Sequence, residues 1–140
     1  MSQENVEIVR SIYAAWERGD FSSLEWAHPE IEYVVADGPM RGSWTGLAKM
    51  AEGGRANLSA WEAFHFEAPE YRELDDERLL VLHRYGGRGK SSGLEVGHMH
   101  TKGASLFHLH GGKVTRLVQF WDGDRALANL GLGPDAPVTE

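Results

Sequence analysis

The stretch that most constrains this fold is a long β-hairpin between Leu94 and Asp122. Two runs rich in Leu, Val and Phe flank the segment HGGK at 110–113, and a Gly-Gly pair supplies the positive φ angles that tight hairpin turns require. The two arms are therefore expected to pair antiparallel. Because strand side chains alternate, the odd residues of 113–121 should share one face and the even residues of 114–122 the other. Both faces carry apolar groups, which predicts packing on one face and a ligand-lined cavity on the other.

Composition indicates one ordinary globular domain. The chain has 140 residues, 41% of them hydrophobic and 25% charged, with a net charge of −7. This acidic balance argues against a nucleic-acid partner held by phosphate contacts, and no apolar run is long enough for a membrane span. The absence of cysteine excludes disulfides, thiolate nucleophiles and cysteine-ligated zinc. The polar start MSQENVEIVR does not resemble a signal peptide, so a cytoplasmic location is expected. The domain is predicted to span 1–133, with 134–140 a flexible tail.

The first half of the chain reads as helices around one strand. Ser2 can cap a helix that ends at Arg18 and Gly19, and its apolar residues recur at helical spacing: Val6, Val9, Tyr13 and Trp16, widened by Ile8 and Ile12. The pattern then predicts a short helical piece at 21–27, a strand at 31–36, a loop at 37–42 and a third helix at about 46–58 with Thr45 as its cap. Gly53 and Gly54 weaken the helical pattern, because each glycine costs about 1 kcal/mol against alanine.

From Trp61 onward the apolar period changes from helical to alternating. Strands are predicted at 61–74 and 78–85, with Pro69 marking an edge strand or a bulge, and a glycine-rich loop at 86–93 precedes the hairpin. A helical turn at 124–130 should end at Gly131 and Gly133. Helices followed by long antiparallel strands are typical of an α+β fold.

Several local motifs carry a resemblance to a known superfamily. They are YAAWERGD at 13–20, HPEIEY at 28–33, WTG at 44–46, and the close from GKV at 112–114 through FWD at 120–122 to ALANLGL at 126–132. The chain resembles the superfamily that contains ketosteroid isomerase, the SnoaL-like polyketide cyclases, scytalone dehydratase, limonene epoxide hydrolase and nuclear transport factor two. The resemblance implies a cone-shaped, curved antiparallel or mixed sheet wrapped around N-terminal helices, with a pocket at the wide end and homodimers that pair through the sheet.

Asp37 is the first candidate for chemistry. The resemblance places it where ketosteroid isomerases have their catalytic base, in a loop at the pocket mouth. A carboxylate beside apolar walls has its charged form desolvated, which raises its pKa toward a range useful for proton transfer next to a carbonyl. The alternative is a turn-forming aspartate ahead of Gly38 and Pro39, bonded only to nearby backbone.

The rest of the isomerase machinery is not matched. The tyrosine of its first helix would fall at Ile12, one position before Tyr13, and its protonated aspartate would fall at Ser105. One position turns a helical side chain by about 100°, so Tyr13 could reach the pocket only if the helix is rolled. A steroid isomerase of the standard kind is therefore disfavoured. Epoxide hydrolysis is disfavoured as well, because the Asp-Arg-Asp set it needs has no counterpart on these strands.

Histidines form the next pattern. The pairs His98/His100 and His108/His110 each put two imidazoles on one strand face, a spacing at which both could bind one metal. No third ligand is evident, so no metal and no other cofactor is predicted, and surface-facing pairs are the alternative. His83 is either a satisfied sheet histidine or, if it faces the pocket, a general base. The same two interpretations, a satisfied sheet histidine or a general base, apply to His65.

The remaining candidates line the expected pocket or its rim. Asp122 and Asp124 lie at the end of the last strand. There the chain resembles the polyketide cyclases, which use an aspartate as an acid or base. The alternative is that one of the two caps the final helical turn, and Asp124 is the better candidate for that role. The residues expected to contact a small apolar or flat molecule are Trp16, Trp44, Ser105, Phe107, Gln119 and Trp121. Two functions stay open. One is a cofactor-free isomerase, cyclase or lyase with Asp37 or Asp122 as base, assisted by Tyr13 and His83; the other is a non-catalytic ligand-binding or association module.

Overall fold

The computed structural model describes residues 3–18, 24–37, 41–59, 61–89 and 95–131, and within these ranges it describes the side chains outside 56–69 and 87–101. The elements are α1 (Gln3–Glu17), β1 (Ala27–Val35), β2 (Gly42–Thr45), α2 (Leu47–Ser59), β3 (Trp61–Glu73), β4 (Arg78–Gly89), β5 (Glu95–His110), β6 (Lys113–Phe120) and α3 (Gly123–Asn129). The strands form one sheet in the order β2-β1-β6-β5-β4-β3. Only β1 and β6 pair in parallel among these neighbours. The predicted α+β class with a mixed sheet is confirmed.

The long antiparallel hairpin and its turn are confirmed. Strands β5 and β6 pair antiparallel, and Gly111 and Gly112 have φ values of 58° and 80° at the turn. Two consecutive positive φ angles are those of a type I′ turn, whose twist matches that of the flanking strands. The glycines are therefore required by the backbone conformation of the turn.

The predicted division of faces on β6 is wrong near the turn. His108 pairs with Arg116 and Leu109 with Val114, so Thr115 is an extra residue in the ladder. Such a bulge changes the side on which the following side chains lie. As a result Val114 joins the same buried cluster as Leu117. Alternation holds from Arg116 onward.

The sheet carries a separate apolar cluster on each face. Helix α1 buries Val9, Ile12, Tyr13 and Trp16 against one face, here called the inner face, with side chains such as Val81, Phe107 and Leu117. Helix α3 packs Ala126 and Leu127 on the other face, the outer face, against Leu80, Leu106 and Val118. Neither helix could be stable alone at this length, so packing on the sheet supports both.

Several predicted boundaries need correction. Ala27 begins β1 instead of ending a helix, and Leu24 to Trp26 are not helical. Strand β2 was missed because four residues give too short a pattern. Thr45 belongs to this strand and does not cap α2; the N–H of Met50 donates to the carbonyl of Gly46 at 2.9 Å, which puts Gly46 at the cap position. Strand β4 extends to Gly89, into the predicted loop.

Other boundary predictions are confirmed. Strand β3 lies at the edge of the sheet, and its register shifts between Glu67 and Glu70, where Pro69 stands. Helix α3 ends with Leu130 as its cap and Gly131 at φ 72°. The predicted cap Ser2, residues 21–23 of the predicted short helix and the tail 134–140 lie outside the described residues. The domain limit at 133 stays a prediction.

The two glycines of α2 have different environments. A Cβ on Gly53 would lie 2.5 Å from Cδ2 of the Trp44 indole, whereas a Cβ on Gly54 would meet no described atom within 4 Å. Gly53→Ala is therefore expected to destabilise the fold by about 2 kcal/mol, because the rigid indole must move. Gly54→Ala should stabilise it by up to about 1 kcal/mol, the helix propensity gain. Urea unfolding of the two matched variants measures both signs; equal effects would show that the indole can move freely.

Candidate functional site

Three polar side chains meet beneath α1 on the inner face, and we call them the polar floor: Tyr13, His83 and Ser105. The helical spacing of α1 turns Tyr13 inward. His83 follows Leu79 and Val81 at alternate positions of β4, and Ser105 pairs directly with Val81. The Tyr13 hydroxyl lies 2.9 Å from Nδ1 of His83. Two candidates from different elements are thus joined by a hydrogen bond.

The polar floor is buried and neutral. The exposed fraction is 0% for Tyr13 and Ser105 and 4% for His83. Burial lowers the pKa of His83 from 6.5 to about 3, because the imidazolium would lose its hydration. Burial also raises the pKa of Tyr13 above its ordinary value of 10, an effect that the adjacent Ser105 hydroxyl reduces. Near neutral pH both rings are therefore uncharged.

The Ser105 hydroxyl has an unusual position. It lies beside the Tyr13 hydroxyl and lowers that group's pKa, yet within the described structure its Oγ completes no hydrogen bond of good geometry. A buried hydroxyl without a well-formed hydrogen bond costs free energy, so native structures that keep one usually have a reason for it. Ser105 is thus a fully buried polar group whose hydroxyl is not used in a well-formed hydrogen bond.

Gly103 makes room for the His83 ring. The two residues are direct partners on β4 and β5. A Cβ on Gly103 would lie 2.8 Å from Nε2 of His83, and 3.0 Å from both the Tyr85 ring and the Phe120 carbonyl oxygen. A side chain at this position would clash with the imidazole where it lies in the structure. The backbone at 103 was not singled out from the sequence, although a glycine inside a strand indicates close approach of another group.

Aromatic side chains surround the polar floor. The ring centroids of Trp16 and Phe107 lie 5.0 Å and 6.1 Å from that of Tyr13, at steep angles. Both are core residues in the described structure, with exposed fractions of 7% and 0%. They give the inner face an apolar wall, the property expected of them from the sequence.

A second polar contact lies further along the inner face. The Tyr33 hydroxyl donates to Oε1 of Gln119 at 2.6 Å. The Tyr33 ring packs at 5.5 Å from Trp44, which is half-buried. Gln119 and Trp44 are thus placed together, and Tyr33, not predicted, connects them. Tyr33 alternates with Ile31 and Val35 on β1, and this spacing in the sequence could have indicated that all three share the inner face.

Asp37 lies at the junction between β6 and α3. Its Oδ1 accepts the N–H of Trp121 at 2.5 Å, and its Oδ2 accepts the N–H of Asp122 at 3.1 Å. The exposed guanidinium of Arg125 lies 3.7 Å from the same Oδ2. Asp37 is 7% exposed. Each carboxylate oxygen of Asp37 therefore binds the backbone N–H of a residue that is distant in the sequence: Trp121 is 84 positions away and Asp122 is 85 positions away.

Tyr85 contacts the same junction from β4. Its hydroxyl donates to the Trp121 carbonyl at 2.8 Å, and its ring meets the Trp121 ring at 4.9 Å and 78°. The pKa of Tyr85 is raised to about 12, first by burial and then by the negative charges of Asp37 and Asp122. The junction therefore places two carboxylates near a phenol.

Asp122, not Asp124, caps α3. Its Oδ1 accepts the N–H groups of Asp124 and Arg125 at 3.0 Å and 3.3 Å. The sequence favoured Asp124 for this role, but α3 begins at Gly123, one residue earlier than the predicted start at 124, so the cap position falls on Asp122. Asp124 lies exposed in the first helical turn, where its charge suits the helix dipole.

The histidine pairs do not form a described metal cluster. His110 is exposed and its Nδ1 lies 2.7 Å from Oε2 of Glu77. His108 is half-buried between Arg78 and Arg116, and burial followed by these two charges lowers its pKa. No group of three His, Asp or Glu residues able to hold a metal occurs among the residues whose side chains are described. The side chains of His65, His98 and His100 lie outside that set.

The structure thus separates the predicted residues into two groups. Tyr13, His83 and Ser105 meet at the polar floor, while Asp37, Trp121 and Asp122 meet at the junction. Tyr85 connects them, since its ring lies 6.2 Å from that of His83. Sequence reasoning missed Tyr85, which alternates with His83 on β4. Along the described chain, no helix is long and apolar enough to cross a membrane.

The order of the helices and the order of the strands are those of the nuclear transport factor 2-like (NTF2-like) fold, which is also found in ketosteroid isomerase-like and SnoaL-like proteins. The chain is similar to an NTF2-like protein of unknown function from Burkholderia pseudomallei, with TM-score 0.73, 20% identity, and coverage of 91% of this chain and 97% of that one. The chain is also similar to TerC co-crystallised with polyporic acid, with TM-score 0.71, 20% identity, and coverage of 92% of this chain and 97% of that one.

A third solved structure is a ketosteroid isomerase-like protein from Catenulispora acidiphila in complex with trimethylamine, with TM-score 0.66, 19% identity, and coverage of 92% and 95%. No protein-family model matches the sequence, and no curated protein matches it. The solved structures therefore establish the fold predicted from the motifs.

Proposed function

We propose that this protein holds a small, flat, largely apolar molecule against the inner face of the sheet. The observation that carries the proposal is the polar floor: a neutral hydrogen-bonded pair, Tyr13 and His83, beside a buried Ser105 hydroxyl without a well-formed hydrogen bond, all within an aromatic wall. A mostly apolar site with a few convergent polar groups is the usual composition of small-molecule sites. Two proteins of this fold have been crystallised with small molecules, polyporic acid and trimethylamine.

Binding can be tested with labelled indole groups. Each of the five tryptophans has one indole N–H, and that of Trp121, which is half-buried next to Tyr85, would report on the inner face. Anisole is expected to shift the Trp121 signal in a saturable manner, because a ring stacked nearby changes its magnetic environment. Trp121→Leu should weaken binding several-fold, since an aromatic contact contributes about 0.5–1.5 kcal/mol beyond its area. If anisole bound in a saturable manner but the signals of inner-face residues such as Trp121 did not shift, the proposal would be contradicted.

A cofactor-free acid–base enzyme is the second candidate. The observation in its favour is that Asp37 and Asp122 lie close enough to Tyr85 for their charges to add to the rise in its pKa that burial causes. In this role Asp37 or Asp122 would take a proton next to a ligand carbonyl, with Tyr13 and His83 orienting the molecule. Each oxygen of Asp37 accepts one backbone N–H and keeps a second lone pair that could take the proton.

Proton exchange separates catalysis from binding. In deuterated water, an enzyme of this class would speed the exchange of the methyl protons of acetophenone. Asp122→Asn tests one base cleanly, because asparagine caps a helix as well as aspartate does. Asp124→Asn makes the same charge change at an exposed position and is the matched control. Binding without any accelerated exchange would leave the binding module as the function.

A homodimer that pairs through the sheet and a cytoplasmic location stay predictions. Size measurement in solution and localisation of a tagged chain would test them.

A further inference from the structure

Gln119 carries a hydrogen-bond donor that the fold does not use. Its Oε1 accepts the Tyr33 hydroxyl at 2.6 Å, which fixes the orientation of the amide group. Its Nε2 has two N–H groups and makes no hydrogen bond in the described structure. Nε2 is not enclosed either, since the buried side-chain nitrogens and oxygens without a hydrogen bond in that part of the chain are Ser105 Oγ and His108 Nε2. The donor is therefore both unused and within reach of solvent.

The inner face is incompletely covered at Gln119 and Trp121. Further along the same face, beneath α1, Phe107 and Leu117 are 0% and 1% exposed. Gln119 and Trp121 follow Leu117 at alternate positions, so they lie on the same face, yet both are half-buried. A molecule can therefore contact these two side chains without displacing the fully buried residues.

The spacing of Gln119 and Trp121 suits a ligand with one aromatic ring. Two residues that share a strand face lie about 7 Å apart along the strand. A flat ring packed on the Trp121 indole would thus bring an oxygen bound close to that ring near the Gln119 amide. Because the free group of the amide is an N–H donor, its partner must be an acceptor oxygen.

The charges around Trp121 favour a neutral ligand. The carboxylates of Asp37 and Asp122 add to the rise in the pKa of Tyr85, whose ring contacts Trp121. Their effect shows that the electrostatic potential beside Trp121 is negative, although the exposed Arg125 guanidinium lies 3.7 Å from Asp37. A negative potential disfavours a ligand carboxylate, whereas a carbonyl oxygen accepts a hydrogen bond without carrying a net charge.

We infer that Gln119 selects the ligand of this site: its amide N–H donates to the carbonyl oxygen of a neutral, flat molecule that packs against Trp121. This inference rests on the proposed inner-face binding function. Tyr33 is a positioning residue, because its hydroxyl holds the amide oxygen and leaves the N–H groups for the ligand. Gln119 thus gives the site a preference among small aromatic molecules that an apolar wall alone does not provide.

Three probes of nearly the same shape test this preference. Acetophenone carries the carbonyl, α-methylstyrene has a CH₂ group in place of that oxygen, and benzoate carries a negative charge. Nitrogen-15 labelling of glutamine gives a direct readout, because the chain has only two glutamines, Gln3 and Gln119. We expect acetophenone to shift the side-chain amide signals of Gln119 in a saturable manner and α-methylstyrene to shift them much less. Gln3, exposed at the start of α1, is the internal control.

Variants of Gln119 measure what the amide contributes. Gln119→Met removes the amide at similar size, so it should weaken acetophenone binding about fivefold and change α-methylstyrene binding by less than about twofold. Gln119→Glu keeps an acceptor for the Tyr33 hydroxyl but has no amide donor, and we expect the same selective loss. Tyr33→Phe should weaken acetophenone binding alone, by about twofold, because the amide is no longer held. Gln3→Met is the matched control and should change neither affinity.

The outcomes separate this inference from the binding function. Equal losses of acetophenone and α-methylstyrene binding in Gln119→Met would indicate a structural effect and overturn the inference. Acetophenone binding that leaves the Gln119 amide signals unmoved would overturn it as well, as would tighter binding of benzoate than of acetophenone. In each of these cases binding to the inner face, followed at Trp121, would stand. Absence of binding by all three probes would remove both the binding function and this inference.

Discussion

Asp37→Ala is expected to lower the free energy of unfolding by about 3 kcal/mol. The carboxylate of Asp37 accepts the backbone N–H groups of Trp121 and Asp122, and its removal leaves both without their partner. Hydrogen bonds to charged groups contribute about 1.5–3 kcal/mol each, and partial exposure of this region reduces the sum. The measurement is urea unfolding with a linear extrapolation to water.

Asp37→Asn and Asp124→Ala complete the series. Asparagine keeps one acceptor but turns an NH₂ group toward the second backbone N–H, so we expect about half of the alanine loss. Asp124 is exposed in the first turn of α3, and its removal should cost under about 1 kcal/mol. Equal losses for the two alanine variants would refute a special role of Asp37 at the junction.

This structural role affects any kinetic experiment on Asp37. Loss of activity in Asp37→Asn would combine a lost base with a weakened junction between β6 and α3. Activity should therefore be compared at temperatures where each variant is fully folded. Asp122→Asn is easier to interpret, because the cap of α3 is retained.

Acid should destabilise this protein through His83. The pKa of His83 is about 3 in the folded chain, against the ordinary value of 6.5, because burial disfavours the imidazolium. Between these values the unfolded chain binds a proton that the folded chain does not. The contribution of neutral His83 to stability is thus complete above about pH 6.5 and is lost as the pH falls toward 3. From pH 7 to pH 5 the expected loss is about 2 kcal/mol.

Variants separate His83 from other titrating groups. His83→Gln will have its own effect on stability, so the quantity to compare is the slope of unfolding free energy against pH, not its absolute value. That slope should become shallower between pH 7 and 5. His108→Gln measures the smaller part expected from the half-buried His108, whose pKa is lowered by burial and by Arg116 and Arg78. An unchanged slope in His83→Gln would contradict a buried neutral histidine.

Local patterns were sufficient for most elements because their causes are local. The Gly111-Gly112 turn needs positive φ angles wherever it occurs, and the helical spacing of Val9, Tyr13 and Trp16 specifies a buried stripe regardless of its partner. The motifs also pointed to the correct fold. In contrast, the bulge at Thr115 depends on the pairing between β5 and β6, and the sequence of β6 alone did not predict it.

The sequence by itself determined the α+β class, the long hairpin and the identity of the polar candidates, because residue type and spacing carry that information. Only the tertiary structure decided which candidates meet. Tyr13 and His83 are 70 positions apart and Asp37 and Trp121 are 84 apart, so their contacts depend on strand order and register. A shift of one residue in register would turn His83 to the other face of the sheet, because strand side chains alternate.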